Sequence, residues 1–134
     1  MSSSRPELKF SDLSEERGFY KRFASLPEKP SQTLRIVDKG EYYTVVGNDA
    51  LFVADNIYHT NSVLKDCRTD PNTAKSIQEP LKYVTLSPQV LTNLLKLCLL
   101  ELGYKVEIYD KSWRLLKNAS PGNIEQVDDL MNVA

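Results

Sequence analysis

Two hydrophobic periods alternate along this chain. From Ser14 to Leu26, Phe19, Tyr20, Phe23 and Leu26 fall on one face at helical spacing. Glu15 and Glu16 occupy the first turn, where acids favour the positive helix end, and Pro27 and Pro30 stop the run. Residues 33–46 switch to strand spacing. Leu34 and Ile36 alternate with Arg35 and Val37, the turn Asp38-Lys39-Gly40-Glu41 follows, and Tyr42 to Val46 return as an aromatic and β-branched strand, which predicts a hairpin. Gly47-Asn48-Asp49 then opens a helix striped by Ala50, Val53, Ala54 and Ile57 and ending near Tyr58. A short strand is expected over Ser62 to Lys65, a surface loop over 66–80 and another strand over Leu81 to Leu86.

Ser87 followed by Pro88 marks a helix start, and Gly103 stands where the same helix should end. Between them Val90, Leu91, Leu94, Leu95, Leu97, Cys98, Leu99, Leu100 and Leu102 make the helix apolar almost all round, which predicts cover on most sides. Tyr104 to Tyr109 alternate as a strand, with Trp113 to Leu116 expected to pair back across Asp110-Lys111-Ser112. Ser120-Pro121 repeats the helix-start signature ahead of Ile124, Val127 and Met131. The order α-ββ-α-β-β-α-ββ-α predicts an α/β fold, a mixed β-sheet with packed helices. Residues 1–12 are polar and expected to fray as a flexible N-terminal segment, which leaves 13–134 as a single domain.

A chain of 134 residues is one domain's worth and long enough to bury a core. Its net charge of −1 supplies no global attraction for nucleic acid or membrane, so any anion-binding face must be local. Charge is indeed uneven: over 81–117, Lys82, Lys96, Lys105, Lys111, Arg114 and Lys117 stand against Glu101, Glu107 and Asp110, whereas 118–134 holds only acids among its charged residues. Cys67 and Cys98 follow no disulfide or metal spacing, and Cys98 lies in an apolar run as a small hydrophobe. The start MSSSRPELKF has no apolar stretch of a secretory leader, and Val90–Leu102 is too short and too polar to span a bilayer. An intracellular compartment is therefore expected, with the sequon Asn118-Ala119-Ser120 unused.

Catalytic chemistry has little to draw on. His59, the single histidine, precludes a multi-histidine metal site, and no Gly-rich phosphate loop is encoded. The acid pairs Glu15-Glu16 and Asp128-Asp129 suit helix surfaces. The informative stretch is KGEYYTVVGNDALFVA, Lys39 to Ala54, where a hairpin delivers two adjacent tyrosines that must face opposite sides of the sheet. Both can cover the sheet, or one can project and stack on bases.

These residues resemble the mismatch-recognition segment of the MutS family of DNA mismatch-repair proteins, Gly-Asp-Phe-Tyr-Glu followed by Asp-Ala opening a helix. The segment stands here as Gly40-Glu41-Tyr42-Tyr43-Thr44 with Asp49-Ala50. The closing step Ser120-Pro121-Gly122-Asn123, the start RPELKFSD, the stretch PEKP and the run LLELGYKVEIYDKSW are similar to fungal members of the family's second eukaryotic homologue. The resemblance covers essentially the whole chain. It implies the fold of the MutS N-terminal domain and a DNA-binding role in a nuclear heterodimer with the sixth or third homologue, on mismatched or looped double-stranded DNA. It implies no enzyme activity and no cofactor in this domain, since ATP and magnesium belong to the full-length family. In the family the Phe wedges beside a mispaired base and the Glu hydrogen-bonds it; Tyr42 can still stack, but Thr44 cannot replace a carboxylate. An accessory role follows, holding DNA through its backbone, with Arg35, Lys39 and Lys65 as phosphate contacts beside Tyr42, Tyr43 and Thr44. The alternatives are a structural or protein-interaction domain with negligible DNA contact and a small nuclease-like enzyme.

Overall fold

The computed structural model describes residues 8–67 and 81–131. Among these, six strands form one sheet: β1 (Thr33–Asp38), β2 (Tyr43–Val46), β3 (Lys65–Asp66), β4 (Lys82–Leu86), β5 (Lys105–Tyr109) and β6 (Leu115–Ala119), in the order β3-β4-β2-β1-β5-β6. β1 and β5 run parallel and the other neighbours antiparallel, so the sheet is mixed as the element order predicts. Four α-helices among the described residues pack on it: α1 (Leu13–Ser25), α2 (Asn48–Val53), α3 (Pro88–Lys96) and α4 (Asp128–Met131). Two of them widen into π-helical turns, α2 over Ala54–Tyr58 and α3 over Leu97–Leu102.

Strand alternation divides the buried side chains between two faces. Leu34, Ile36, Val45, Val84, Leu86, Val106 and Ile108 meet Ala50 and Val53 of α2, Leu91, Leu94 and Leu95 of α3, and Met131 of α4 in the larger core cluster. The opposite face, with Val37, Val46, Tyr83 and Tyr109, is covered by α1 through Phe19 and Phe23 and by Trp113. The result is three layers, with α1 on one side of the sheet and the other described helices on the opposite side. The start of α1 is set by Asp12, whose carboxylate accepts the Glu15 N–H at 2.8 Å while Glu15 accepts the Ser11 N–H at 3.1 Å; these exchanges satisfy donors at the open helix end.

Several segments depart from the sequence expectation for local reasons. Ser62 is not in a strand: Thr60 Oγ1 accepts the Ser62 N–H at 3.1 Å and curls Asn61–Val63 into a 3₁₀ turn, leaving β3 two residues long. Trp113 precedes β6 rather than joining it, in a left-handed conformation with φ 64°. Ser120-Pro121-Gly122-Asn123 is no helix start. Backbone bonds in both directions between Ser120 and Asn123, at 3.1 and 2.8 Å, close it as a tight turn, and helical structure begins at Glu125. The helix from Pro88 to Leu102 is covered on fewer sides than its composition predicts, since Leu100 and Leu102 are exposed. In the N-terminal segment, Leu8 and Phe10 pack on the smaller core cluster. Most of the expected loop, beyond Cys67, lies outside the described residues. Among the described residues no helix is long and apolar enough to cross a membrane.

Candidate nucleic-acid interface

The hairpin forms as its pattern requires. Val37 pairs Thr44 and Asp38 pairs Tyr43 across a turn whose Gly40 takes φ 102°, a conformation that L side chains rarely adopt. The Lys39 N–H donates to the Tyr42 carbonyl at 2.9 Å, and Asp38 Oδ1 accepts the Gly40 N–H at 2.8 Å. Tyr42 and Tyr43 point to opposite faces. Tyr43 packs against the larger core, and burial, then Asp38 and Asp129, raise its phenol pKa. Tyr42 lies half-buried at the tip, its hydroxyl accepting the Lys9 N–H at 3.0 Å; burial raises its pKa against that hydrogen bond. Thr44 is fully buried and its hydroxyl donates to the Val84 carbonyl at 2.9 Å. At this position the side chain braces β2 against β4 and does not reach solvent.

The basic residues singled out from the sequence do not converge. The Arg35 side chain is only 13% exposed. Its Nε lies 3.4 Å from Glu107 on β5, and its Nη2 donates at 2.9 Å to the Pro27 carbonyl beyond α1, so it is an internal strut. Lys65 is exposed on the edge strand β3, but it pairs with Tyr83, which pairs with Val46 at the far end of β2; it stands at the end of the sheet away from the hairpin turn. Lys39 is at the tip, with its ammonium 4.3 Å from the centre of the Phe10 ring and 5.6 Å from that of Phe19. Burial pulls its pKa below the ordinary lysine value, nearby Glu15 opposes that, and Lys111 adds to it.

That last influence identifies what the sequence reading missed. Because β1 and β5 lie side by side and parallel, the turn after β5 sits beside the hairpin tip. The two border a shallow depression of about 330 Å³ lined by Asp38, Gly40, Asp110, Lys111, Ser112 and Leu116. Asp110 Oδ1 accepts the N–H groups of Ser112 (2.8 Å) and Arg114 (3.0 Å), bonds that depress its carboxyl pKa and fix the turn. Lys111 and Arg114 are exposed there; the Arg114 side chain is 82% exposed and lies 3.6 Å from Asp110. The turn signal was readable in the sequence, but its place beside the hairpin depends on a parallel pairing across dozens of residues.

The Asp-Ala step after the hairpin has its own reason. β2 leaves the sheet at Gly47, whose φ of 78° and N–H bond to the Lys82 carbonyl (2.8 Å) redirect the chain; a Cβ there would come within 3.2 Å of the Phe23 ring. On its β2 side β1 thereby has no strand partner at Arg35, and Asp49 takes that place while β5 pairs the other side. Oδ2 accepts the Arg35 N–H at 3.0 Å, and Oδ1 lies 3.1 Å from the Lys29 ammonium.

Among the described residues no arrangement suggests a nucleophile. His59 ends the α2 helical run in a left-handed, exposed position. Both thiols are buried, and burial pushes Cys67 and Cys98 up to about 12, far from thiolate reactivity. Among the described residues no group of three or more His, Cys, Asp or Glu is placed to hold a metal ion.

Comparison with known proteins agrees with this architecture. The chain is 71% identical to the DNA mismatch repair protein MSH2 of Saccharomyces cerevisiae over 99% of its own length. It is 37% identical to the DNA mismatch repair protein msh-2 of Neurospora crassa over 95%, and 32% identical to MSH2 of Arabidopsis thaliana over 94%. It spans 14%, 13% and 13% of those relatives' lengths. Residues 17–128 match the family described as MutS domain I, and the chain belongs to that family.

Proposed function

We propose that this domain is a DNA-contacting accessory module of a mismatch-repair protein, helping to hold mismatched or looped double-stranded DNA through its backbone. On this reading the parent protein acts in the nucleus as a heterodimer with the sixth or third MutS homologue. ATP and magnesium are handled by other parts of that assembly, and this domain catalyses nothing itself. The observation that carries the reading is the sheet end where the hairpin tip, which holds Lys39 and Tyr42, stands beside the 110–114 turn, on which Lys111 and Arg114 are exposed. Cations there position a phosphate backbone without reading sequence. Burial of Thr44 supports weak discrimination of single mismatches, since neither a carboxylate nor an exposed acceptor stands at the family's base-reading position.

The structural reading, with negligible DNA contact, draws support from Arg35 and Lys39, whose charges are already engaged inside the domain. A salt titration of the full-length protein on homoduplex and looped DNA separates the two. Lys111→Ala with Arg114→Ala should weaken binding equally on both DNAs and lower the salt slope by about 0.9 for each phosphate no longer neutralised. Lys65→Ala should leave both unchanged. An unaltered slope in the Lys111/Arg114 variant would favour the structural role.

A further inference from the structure

Tyr42 and Lys39, the residues that the hairpin delivers to the sheet end, are both held by the same short stretch of chain. The Lys9 N–H occupies the Tyr42 hydroxyl, and the Phe10 ring lies under the Lys39 ammonium at 4.3 Å. Phe10 is pinned in turn by Phe19 and Tyr20, with ring centres 5.1 and 5.9 Å away. Beyond Phe10 the chain is clamped by the Ser11–Glu15 and Asp12–Glu15 bonds at the start of α1, so residues 8–10 are anchored at their C-terminal side.

We infer that Leu8–Phe10 is an autoinhibitory strap that withholds Lys39 and Tyr42 from DNA until it is lifted, an inference that rests on the reading of this sheet end as the DNA-facing surface. Three features make the segment a strap rather than part of the core. Among the described residues it meets the body through the Phe10 ring, the Lys9 peptide N–H and Leu8. It lines one side of an open cavity of about 430 Å³ whose other walls are Glu16, Tyr20, Asp66 and Tyr83, so less packing opposes its lifting than opposes opening of the close-packed interior. Finally, what it holds is a cation and a phenol hydroxyl, the two groups at the tip suited to a phosphate and a base. Burial lowers the pKa of half-buried Lys39, and the Phe10 ring is part of its cover. A phosphate approaching the tip therefore competes with the Phe10 ring for one charge. Contact with DNA and seating of the strap exclude one another at Lys39.

The test uses the full-length protein and two conservative changes. Phe10→Leu keeps the apolar bulk under Lys39 but removes the π face, and Tyr42→Phe removes the acceptor for Lys9 while keeping a ring. Thermal melts establish that each variant stays folded. Binding to homoduplex and looped DNA is measured across a salt series. With Phe10→Leu, binding should tighten and the salt slope should steepen by up to about 0.9, the signature of one more neutralised phosphate. Adding Lys39→Ala should abolish that gain. Tyr42→Phe should tighten binding more modestly, without changing the slope. The proposal is overturned if Phe10→Leu and Tyr42→Phe leave affinity and slope at the wild-type level, or lower them, while Lys111→Ala with Arg114→Ala still weakens binding. In that case the surface is correct and the strap is not. If neither Lys39→Ala nor the Lys111/Arg114 pair alters binding in any background, the surface reading itself fails and the strap with it.

Discussion

Replacing Asp49 probes the point at which the hairpin, the first helix-opening turn and the α1–β1 connection meet. Its carboxylate does two things: Oδ2 completes the hydrogen bonding of β1 at the Arg35 N–H, and Oδ1 holds Lys29. In Asp49→Ala the Arg35 N–H, which points away from β5, has no strand neighbour on its own side, because the chain has already left the sheet at Gly47. Leaving a buried donor unsatisfied costs about 1–3 kcal/mol. Loss of an acid from the first turn of α2 adds about 0.3–1 kcal/mol. Together these give about 1–4 kcal/mol, provided that the strand cannot slide to recover the bond. Asp49→Asn keeps a carbonyl acceptor and loses the charge, so it should cost about 1 kcal/mol, the difference between a charge-assisted and a neutral hydrogen bond. Lys29→Ala removes a partly exposed ion pair and should cost under about 1 kcal/mol. Urea melts followed by far-UV circular dichroism resolve this order, since a slope of about 1–3 kcal/mol per molar turns the Ala variant's loss into a midpoint shift on the order of 1 M. If Asp49→Ala melts within about 0.5 kcal/mol of wild type, or Asn is as damaging as Ala, the carboxylate is not what completes β1.

Burial along α3 sets a second contrast. Leu94→Ala, at a fully buried site, should cost about 2–5 kcal/mol, whereas Leu100→Ala, at a site 62% exposed, should cost under about 1, both read from the same urea melts. The thiols set a pH dependence. Folded Cys67 and Cys98 stay protonated up to about 12 while the unfolded chain releases those protons near pH 9, so the unfolded state binds fewer protons above that point. Stability should fall as pH rises from about 9 towards 12, and Cys98→Ala should shallow that slope in melts across the range.

Most of the layering was readable from periodicity, because whole elements carried one signal. The alternation of Leu34 and Ile36 against Arg35 and Val37 announced a hairpin strand, though not that both of its faces would be covered, and Ser87-Pro88 with Gly103 bracketed the long helix correctly. Failures came where short-range hydrogen bonds captured the backbone. Thr60 turned an expected strand at Ser62 into a 3₁₀ turn, and the Ser120–Asn123 bonds closed a turn that carried a helix signature. The candidate site was legible only in part, for a different reason. Residue type shows that Arg35 and Lys39 are cationic, but whether a cation faces water depends on non-local neighbours. Glu107 and the Pro27 carbonyl claim Arg35, and Phe10 claims Lys39. The same non-locality hid Lys111 and Arg114, which join the hairpin tip only because β5 settles parallel to β1.

Trp113 ties the β5–β6 turn to the first helix. Its indole N–H donates to the Phe19 carbonyl at 3.0 Å across 94 residues of sequence, and its ring lies 5.1 and 5.3 Å from those of Phe19 and Phe23. A ribosome makes α1 well before its clasp. Until the segment around Trp113 has left the exit tunnel, those 13 residues, short for a helix in water, lack the indole that covers Phe19 and Phe23 and can lean on Val37, Val46 and Tyr83. β1, β2 and β4 can pair early as antiparallel neighbours, but the other edge of β1 stays open until β5 arrives. The last pieces of the sheet and of the cover over α1 therefore arrive together and late in synthesis, and a nascent chain halted before the β5–β6 turn leaves its first helix incompletely covered to any protease or chaperone that meets it.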